Sequence, residues 1–440
     1  MVLVPIMASC ATTHAGKQIR SAGQGTVTTT ARAWSFDFGT GNSHPGYAEI
    51  RPTTVYNRQL GYGFMNATAL DASRQGICAD DKPFLFSVDV PEGNYDVTLS
   101  LGGASESITT VKAEARRLLI DKVQVPQGKA ITRSFTINVR SSRLANGEVV
   151  GLKKDEQNEF DWDGRLTLEF NNLHPCVNSL RIEPNDHAIT VYLAGDSTVT
   201  DQRREPWAAW GQMLPRFFKA GVAIANHAES GESLKSFIGE KRLEKLLETI
   251  RAGDYLFIQF AHNDQKPGAS HVDAFTTYQE YLKFYIDEAR RKGALPVLVT
   301  SMHRRNFDDA KKIVNTLGDY AEAVRQLARQ ENVPMIDLNA MSKTLFETLG
   351  PEETLKAFVH FPAGTFPGQD AELKDDTHFT PYGAYELARC IVAGIEENKL
   401  GIAKYLVEDA GQFDPAHPDA VTNWNLPPSP LVAQVKPDGN

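Results

Sequence analysis

The sequence predicts two domains of different class, a β-sandwich followed by an α/β domain built on a parallel sheet. A chain of 440 residues is longer than one ordinary domain and fits two. Between residues 34 and 184 the pattern contains short β-runs and turns but no convincing helix. From residue 189 onward, strand patterns alternate with helical ones, which is typical of a parallel sheet with helices on both faces.

The predicted sandwich depends on short runs of apolar, β-branched and aromatic residues separated by turn residues. Glycine and proline punctuate the stretches 91–94, 102–103 and 126–128, where they favour turns. The run 131–139 alternates with the period of two expected of a half-buried strand. The candidate strands are 84–90, 95–101, 118–120, 131–139 and 166–170.

The second domain is predicted from five candidate strands and the helical periodicities between them. Apolar side chains recur at spacings of three and four through 278–289, which indicates a helix. The last helix is predicted to begin after Thr380, a good N-cap residue, with Pro381 in its first turn. The candidate strands are 189–194, 222–226, 255–260, 295–300 and 333–336.

The composition excludes several classes of protein. With 41% hydrophobic and 23% charged residues, the chain has the composition of a soluble globular protein. A net charge of −9 argues against broad nucleic-acid binding, which needs a concentrated basic field. No apolar run approaches the roughly 20 residues of a membrane helix. We therefore expect no nucleic-acid partner and no membrane span.

The N-terminus predicts export from the cytoplasm. Residues 1–10 resemble the end of a secretory signal whose charged start is missing, and MASC at 7–10 is close to a bacterial lipoprotein cleavage site. Such a site would make Cys10 a lipid anchor. A Ser/Thr/Gly-rich linker follows at 21–30. The remaining cysteines, Cys78, Cys176 and Cys390, lack metal-site spacing and are expected to be buried thiols, although a Cys78–Cys176 disulfide is also compatible with the sequence.

The stretch ITVYLAGDS, residues 189–197, organises the second domain. Six residues of a buried strand lead directly into Gly195, Asp196 and Ser197. Ligands bind at the carboxyl ends of strands in open α/β sheets, so Ser197 is predicted at the site edge, just ahead of a helix. Asp196 is expected to anchor the turn.

Three further motifs supply the other groups that an acyl-transfer site needs, which are a base, an orienting carboxylate and oxyanion donors. His378 is the candidate base that activates Ser197, and Asp375 is the candidate orienting carboxylate. The backbone N–H groups of Ser197 and Gly231 and the side-chain amide of Asn263 are the candidate oxyanion donors. No cofactor and no metal ion are expected. His262 and Asp264 are expected to support Asn263.

A second Asp-x-x-His occurs at Asp414 and His417. It lies in the Pro-rich C-terminal stretch, and no capped helix follows it. We therefore assign the base to His378 and not to His417.

The ordered set Gly195-Asp196-Ser197, Gly231, Asn263 and Asp375-x-x-His378 resembles the SGNH hydrolase superfamily. More narrowly, GDSTVTDQ, the AHND loop and DDTHFTPYGAYELA resemble rhamnogalacturonan acetylesterases, although the family usually has glycine where this chain has Ala261. FDFGTG and GYGF resemble the galactose-binding-like domain placed before such esterases. The resemblance implies a serine esterase with a flavodoxin-like SGNH domain, which removes acetyl groups from a plant cell-wall polysaccharide, most specifically rhamnogalacturonan.

The predicted organisation is a leader and linker at 1–30, the sandwich at 31–186, the esterase domain at 187–400 and a tail at 401–440. The tail is expected to be either an ordered wrapping segment or a loose end. Because pectin carries carboxylates and the protein is acidic, substrate binding would need local cations. Arg203, Arg204, Arg304 and Arg305 follow strand ends and are the candidates.

Other functions are compatible with parts of the pattern. The enzyme could deacetylate xylan or another glycan, or the sandwich could make the chain a non-catalytic glycan-binding protein. A metal-dependent phosphoesterase would bind its metal through carboxylates and histidines, and the candidates are Asp196, Asp201, His262, Asp264 and His378. The chain lacks the paired-histidine motif such sites need.

Overall fold

The computed structural model of the chain describes residues 33–39, 44–65, 70–73, 75–157 and 159–430. From Ala33 onward the chain forms one compact unit. The predictions about the leader and about Cys10 fall outside the described residues. No helix in the described ranges is both long and apolar enough to cross a bilayer.

Short strands of the first region form two sheets. One sheet has the strand order β10-β7-β12-β1-β2, with β5 beside β12 and β4 beside β5, and the other has the order β3-β6-β11-β8-β9. All pairings are antiparallel except β1 with β2. The strands are β1 Trp34–Asp37, β2 Ala48–Glu49, β3 Tyr62–Phe64, β4 Leu70–Ser73, β5 Gly76–Ala79, β6 Phe84–Asp89, β7 Gly93–Leu101, β8 Ser107–Ala113, β9 Arg117–Val125, β10 Ile131–Val139, β11 Arg165–Asn171 and β12 Cys176–Pro184.

The two sheets pack face to face and bury one apolar layer. Phe36 of β1 contacts Phe86 of β6 edge to face, with ring centroids 5.2 Å apart. Alternate residues of β7 and β11 point into the same core. A disulfide joins Cys78 and Cys176 on neighbouring strands. This arrangement confirms the predicted β-sandwich and selects the disulfide from the two states that the sequence left open.

Five parallel strands form the sheet of the second region, in the order β14-β13-β15-β16-β17. Numbered along the chain, this is the order 2-1-3-4-5, which is that of flavodoxin-like sheets. The predicted α/β class with an antiparallel sandwich ahead of it is therefore confirmed. The strands are β13 Ile189–Gly195, β14 Val222–Asn226, β15 Tyr255–Gln259, β16 Leu295–Val299 and β17 Met335–Ile336.

Helices cover both faces of this sheet because each strand points alternate apolar side chains to opposite sides. Val191 and Leu193 pack toward one group of helices, and Tyr192 and Ala194 pack toward the other. The helices are α1 Trp210–Met213, α2 Leu234–Gly239, α3 Arg242–Thr249, α4 Thr277–Arg291, α5 Tyr320–Glu331, α6 Leu338–Ala357 and α7 Pro381–Glu397. As predicted, Thr380 caps α7 through its hydroxyl, which accepts the N–H of Gly383.

The sequence pattern missed a two-stranded hairpin, β18 Phe358–Phe361 with β19 Leu373–Phe379. β19 contains both Asp375 and His378. Aspartate is depleted in strands, so Asp375-Asp376 obscured the signal. The pairing also shifts register, since Phe358 faces Phe379 while Val359 already faces Asp375, and this leaves 376–378 bulged.

Residues 401–430 of the C-terminal tail fold back across both regions. Trp424 packs against Tyr385 of α7, with ring centroids 4.6 Å apart. Further on, the Ser429 hydroxyl donates to Glu169 of β11 at 3.0 Å, and Lys112 of β8 donates to the Ser429 hydroxyl at 2.8 Å. Of the two alternatives left by the sequence, the described part of the tail, residues 401–430, is the wrapping segment.

Polar contacts join the sandwich to the α/β region near the start of the parallel sheet. Asn94 donates to the hydroxyl of Thr190 at 2.8 Å, and the hydroxyl of Thr136 accepts the N–H of Gly221 at 2.8 Å. Leu118 of β9 inserts into the core beside α1 and α7. The two regions therefore share buried surface.

Candidate active site

β13 places Ser197 at the carboxyl end of the parallel sheet. A Cβ on Gly195 would lie 2.5 Å from the side chain of Val199, so the turn needs glycine. Asp196 fixes the turn as predicted, since its Oδ1 accepts the N–H and the hydroxyl of Thr198 at 2.9 and 2.7 Å. The expectation of a helix directly after Ser197 is wrong: the next helix, α1, begins at Trp210.

Ser197, His378 and Asp375 form a continuous hydrogen-bonded chain. The Ser197 hydroxyl lies 2.8 Å from His378 Nε2, and His378 Nδ1 lies 2.7 Å from Asp375 Oδ2. With the carboxylate ionised, the Nδ1–H donates to it, which leaves Nε2 to accept the serine proton. The structure therefore brings the three predicted residues together in the order that a nucleophile, its base and an orienting acid require.

The bulge in β19 explains how two residues three apart in a strand meet on one side. Oδ1 of Asp375 accepts the backbone N–H groups of Thr377 and His378, each at 3.0 Å. This turn-like capping curls the chain so that the His378 ring returns to the other carboxylate oxygen. Trp207 adds a donor, its indole N–H lying 3.2 Å from Oδ2.

The surroundings keep Asp375 ionised. Burial by itself would raise the pKa of Asp375, but the hydrogen bond and positive charge of His378 and the two backbone N–H groups hold it well below the usual range. A carboxylate that stays ionised can hold the imidazole in one tautomer and stabilise its protonated form.

The three predicted oxyanion donors lie on consecutive loops after β13, β14 and β15. Within the part of the chain that the structure describes, the N–H groups of Ser197 and Gly231 have no acceptor. Gly231 has φ of 80°, a conformation that favours glycine. The Asn263 amide donates to the carbonyl of Glu232 at 2.8 Å, which engages one of its two N–H bonds. The extra methyl of Ala261 is buried in the apolar core.

Behind these loops lies a buried group of ionisable side chains. Asp264 Oδ1 accepts the N–H of Leu234 at 2.9 Å, which ties the Asn263 loop to the start of α2 and gives Asp264 the predicted supporting role. Burial raises the pKa of Asp264 to about 8. His262 does not contact Asn263 through its ring; its Nδ1 lies 3.5 Å from Asp196 Oδ2, and burial lowers its pKa.

The four candidate arginines differ sharply in their contacts. Arg203 bridges Glu229 and Asp155 at 2.9 and 2.8 Å, and Arg204 pairs with Glu159. Arg305 pairs with Asp376 at 3.1 Å. Arg304 differs from them, because it forms no direct ion pair in the described ranges, although the nearby charge of Asp196 attracts it; it donates to the Thr316 hydroxyl at 3.2 Å and to the His262 carbonyl at 3.5 Å.

Sequence reasoning missed a contribution of the sandwich region to the edge of the site. Lys153 donates to the carbonyl of Ser230, beside Gly231, and pairs with Glu232 at 2.8 Å. Asp155 and Glu159 of the same segment hold Arg203 and Arg204. No motif signals these partners, since the contacts join residues about 50 to 80 positions apart.

The alternative metal site is not assembled. Asp201 pairs with Arg117 at 2.5 Å and accepts a hydrogen bond from the Asn226 amide at 2.8 Å. Both ring nitrogens of His378 are hydrogen-bonded, one to Ser197 and the other to Asp375. Among the described ranges, the one group of three metal-ligand side chains within 4.8 Å is Cys78, His174 and Cys176, whose cysteines are joined to each other.

Comparison with known proteins gives the families that the two regions match. Residues 193–384 match the GDSL-like lipase/acylhydrolase family, and residues 34–155 match the β-agarase/YxiM esterase-like, galactose-binding domain-like family. The rhamnogalacturonan acetylesterase RhgT of Bacillus subtilis is 45% identical over 226 residues, which are 51% of this chain and 97% of RhgT. The uncharacterised esterase YxiM of the same organism is 29% identical over 391 residues, 85% of this chain and 93% of YxiM.

The crystal structure of Bacillus subtilis YxiM has 25% identity and a TM-score of 0.45, and it covers 84% of this chain and 99% of that one. The resemblance to SGNH hydrolases and to a galactose-binding-like domain is confirmed by the family matches and by the identity with RhgT over nearly its full length. The chain belongs to the GDSL-like lipase/acylhydrolase family and is a hydrolase that acts on ester bonds.

Proposed function

We propose that this protein is an exported serine esterase that removes acetyl groups from acetylated rhamnogalacturonan. The coarser activity, deacetylation of a carbohydrate, has support in the identity with RhgT. The observation that carries the proposal is the buried chain from the Ser197 hydroxyl through His378 to Asp375.

The geometry supports a two-step acyl transfer. His378 Nε2 takes the proton of Ser197 as the oxygen attacks the acetyl carbonyl, and Asp375 stabilises the imidazolium that forms. The N–H groups of Ser197 and Gly231, with the Asn263 amide, stabilise the oxyanion. His378 then protonates the leaving sugar oxygen. Water attacks the acetyl-serine by the reverse proton route, which releases acetate.

Arg304 supports an anionic polymer as the substrate. It lies beside His262, on the loop after β16, and its guanidinium forms no direct ion pair in the described ranges, where Asp196 attracts it only from a distance. A planar guanidinium suits a bidentate contact with a galacturonate carboxylate. Arg203, Arg204 and Arg305 are committed to internal acids, so Arg304 is the proposed contact among the four. Acetylated xylan and other neutral glycans are the alternative substrates.

Export is supported by the Cys78–Cys176 disulfide, since such bonds persist in oxidising compartments. The signal-like residues 1–10 point the same way.

Acetate release from acetylated rhamnogalacturonan, acetylated xylan and 4-nitrophenyl acetate tests the proposal. We expect the highest kcat/KM on rhamnogalacturonan and the loss of several orders of magnitude in Ser197→Ala on every substrate. Retention of more than about a tenth of the activity in that variant would refute the serine mechanism. Preference for xylan would refute the substrate.

Arg304→Gln should raise KM on the pectic polymer and leave 4-nitrophenyl acetate unchanged, and added salt should imitate the change. Arg329→Gln is the matched control, because Arg329 lies in the last turn of α5, which leads to the opposite end of the sheet. Equal effects of both substitutions, or equal losses on both substrates, would remove Arg304 from the polymer site.

A further inference from the structure

We propose that Arg116, on the turn between β8 and β9 of the sandwich, is a positioning residue for the esterase site. This inference rests on the proposed function. It holds that the sandwich supports the chemical step on every substrate, in addition to any role in binding glycan.

Arg116 contacts a single segment of the α/β region, residues 202–207. One of its terminal nitrogens donates to the carbonyls of Gln202 and Trp207, both at 2.9 Å, and the other pairs with Glu205 at 2.5 Å. Arg116 is only 5% exposed, and so all three contacts are shielded from water. Hydrogen bonds to a buried charged group are stronger than ordinary ones. Arg116 therefore fixes both ends of the segment 202–207.

Each end of this segment contacts one member of the triad. The side-chain amide of Gln202 donates to the carbonyl of Ser197 at 2.9 Å. The indole N–H of Trp207 lies 3.2 Å from Asp375 Oδ2. A displacement of the segment would therefore weaken the contact of Gln202 with Ser197 and the contact of Trp207 with Asp375 at the same time.

The turn that presents Arg116 has an uncommon backbone. Glu114 and Arg116 both have positive φ, 54° and 65°, which costs energy for residues with a Cβ. The carbonyl of Ala115 between them accepts the amide of Gln212 at 2.7 Å, and that amide also donates to the carbonyl of Gln202 at 2.8 Å. Gln212 of α1 thus ties the strained turn to the segment 202–207 that the turn supports.

Arg117 provides a second anchor just upstream. It donates to Asp201 at 2.5 Å, and Asp201 accepts the Asn226 amide at 2.8 Å. The same amide donates to the carbonyl of Val199 at 2.8 Å. Two neighbouring arginines of the sandwich therefore hold the chain from residue 201 to residue 207, shortly after the nucleophile.

Arg116→Met tests the inference in the full-length protein with 4-nitrophenyl acetate, which is too small to need a polymer site. We expect kcat to fall by about 10- to 100-fold with KM within about twofold, because small misplacements of reacting groups carry losses of this size. Arg116→Lys, which keeps the charge without the fork, should recover part of kcat and serves also if the methionine variant does not fold.

Lys245→Met is the matched control. Lys245 is equally buried and also crosses to the sandwich, with contacts of 2.8 Å to Glu92 and 2.6 Å to the carbonyl of Arg143, but it lies away from segment 202–207. It should lower the thermal midpoint and leave kcat unchanged. The double variant Arg116→Met/Trp207→Phe should lose little more kcat than Arg116→Met, because the two residues act in series.

Wild-type kcat in either Arg116 variant would overturn the inference, as would an equal loss in Lys245→Met. Additive losses in the double variant would also overturn it. Failure of the proposed function is distinguishable, since it would appear as activity retained in Ser197→Ala.

Discussion

Replacement of Asp375 by asparagine tests the triad against a second copy of the same local contact. Asp375 and His378 are joined at 2.7 Å, and Asp414 and His417 are joined at the same distance through the same atoms. The first pair is buried, whereas the side chains of His417 and Asp414 are 82% and 60% exposed. The two Asp–His pairs therefore have the same sequence spacing and the same hydrogen-bond length, and they differ in burial.

The size of the effect follows from the acceptors of the carboxylate. In Asp375→Asn, Oδ1 can still accept the N–H groups of Thr377 and His378. The new amide nitrogen would face the donors of His378 Nδ1 and Trp207, so donors oppose donors. The imidazole is then driven to the tautomer whose Nε2 carries the proton and cannot activate Ser197. We expect kcat to fall by about 10³- to 10⁴-fold and the free energy of unfolding to fall by about 1–3 kcal/mol.

The assay is kcat/KM on 4-nitrophenyl acetate together with urea denaturation of both variants. Asp414→Asn should leave kcat and the urea midpoint unchanged, because water replaces the lost contact. The reasoning would be refuted by an Asp375→Asn variant with more than about a tenth of wild-type kcat, or by similar losses in the two variants.

Three further predictions concern stability. Burial raises the pKa of Asp264 to about 8, so the folded state keeps a proton that the unfolded chain releases above about pH 4; stability should therefore fall as the pH rises between these values. Asp264→Asn should flatten that fall in urea titrations, and an unchanged slope would contradict the assignment. Glu156→Ala should cost about 1–3 kcal/mol, because it removes two hydrogen bonds from the buried Arg242 guanidinium, which keeps its contact with Glu240, and an unchanged urea midpoint would contradict this. Replacing Cys78 and Cys176 by alanine should cost about 2–5 kcal/mol in denaturant and leave kcat unchanged; an unchanged midpoint would show that the bond does not stabilise the fold.

The sequence predicted those features that arise from local pattern. Period-two runs gave the sandwich, and alternating strand and helix patterns gave the parallel sheet. The order of Ser197, Gly231, Asn263 and the Asp375–His378 pair gave the members of the site, because each motif lies at the end of a strand or before a capped helix. The sequence pattern did not predict the hairpin that contains Asp375, because the strand of Asp375 is polar and bulged.

Contacts between distant segments could not be predicted. Nothing in the local sequence of Arg116 distinguishes it from a solvated surface charge, and its partners lie 86 and 91 residues away. Trp207 offered one usable signal, since a tryptophan next to a proline in a loop needs an acceptor for its N–H when buried. The arginine pairs looked equivalent in sequence, and only their tertiary partners separate Arg304 from the others.

The ordered tail has a consequence for how the protein is made. Lys112 lies on the sandwich. The Pro427 carbonyl and the Ser429 hydroxyl, which accept its hydrogen bonds, are 315 and 317 residues further along the chain. At ribosomal rates the sandwich is complete tens of seconds before these acceptors leave the ribosome. During that interval the face around Lys112 must stay hydrated, because its acceptors in the tail have not yet been made. Closure of the tail over Lys112 is therefore a late step in the folding of the chain.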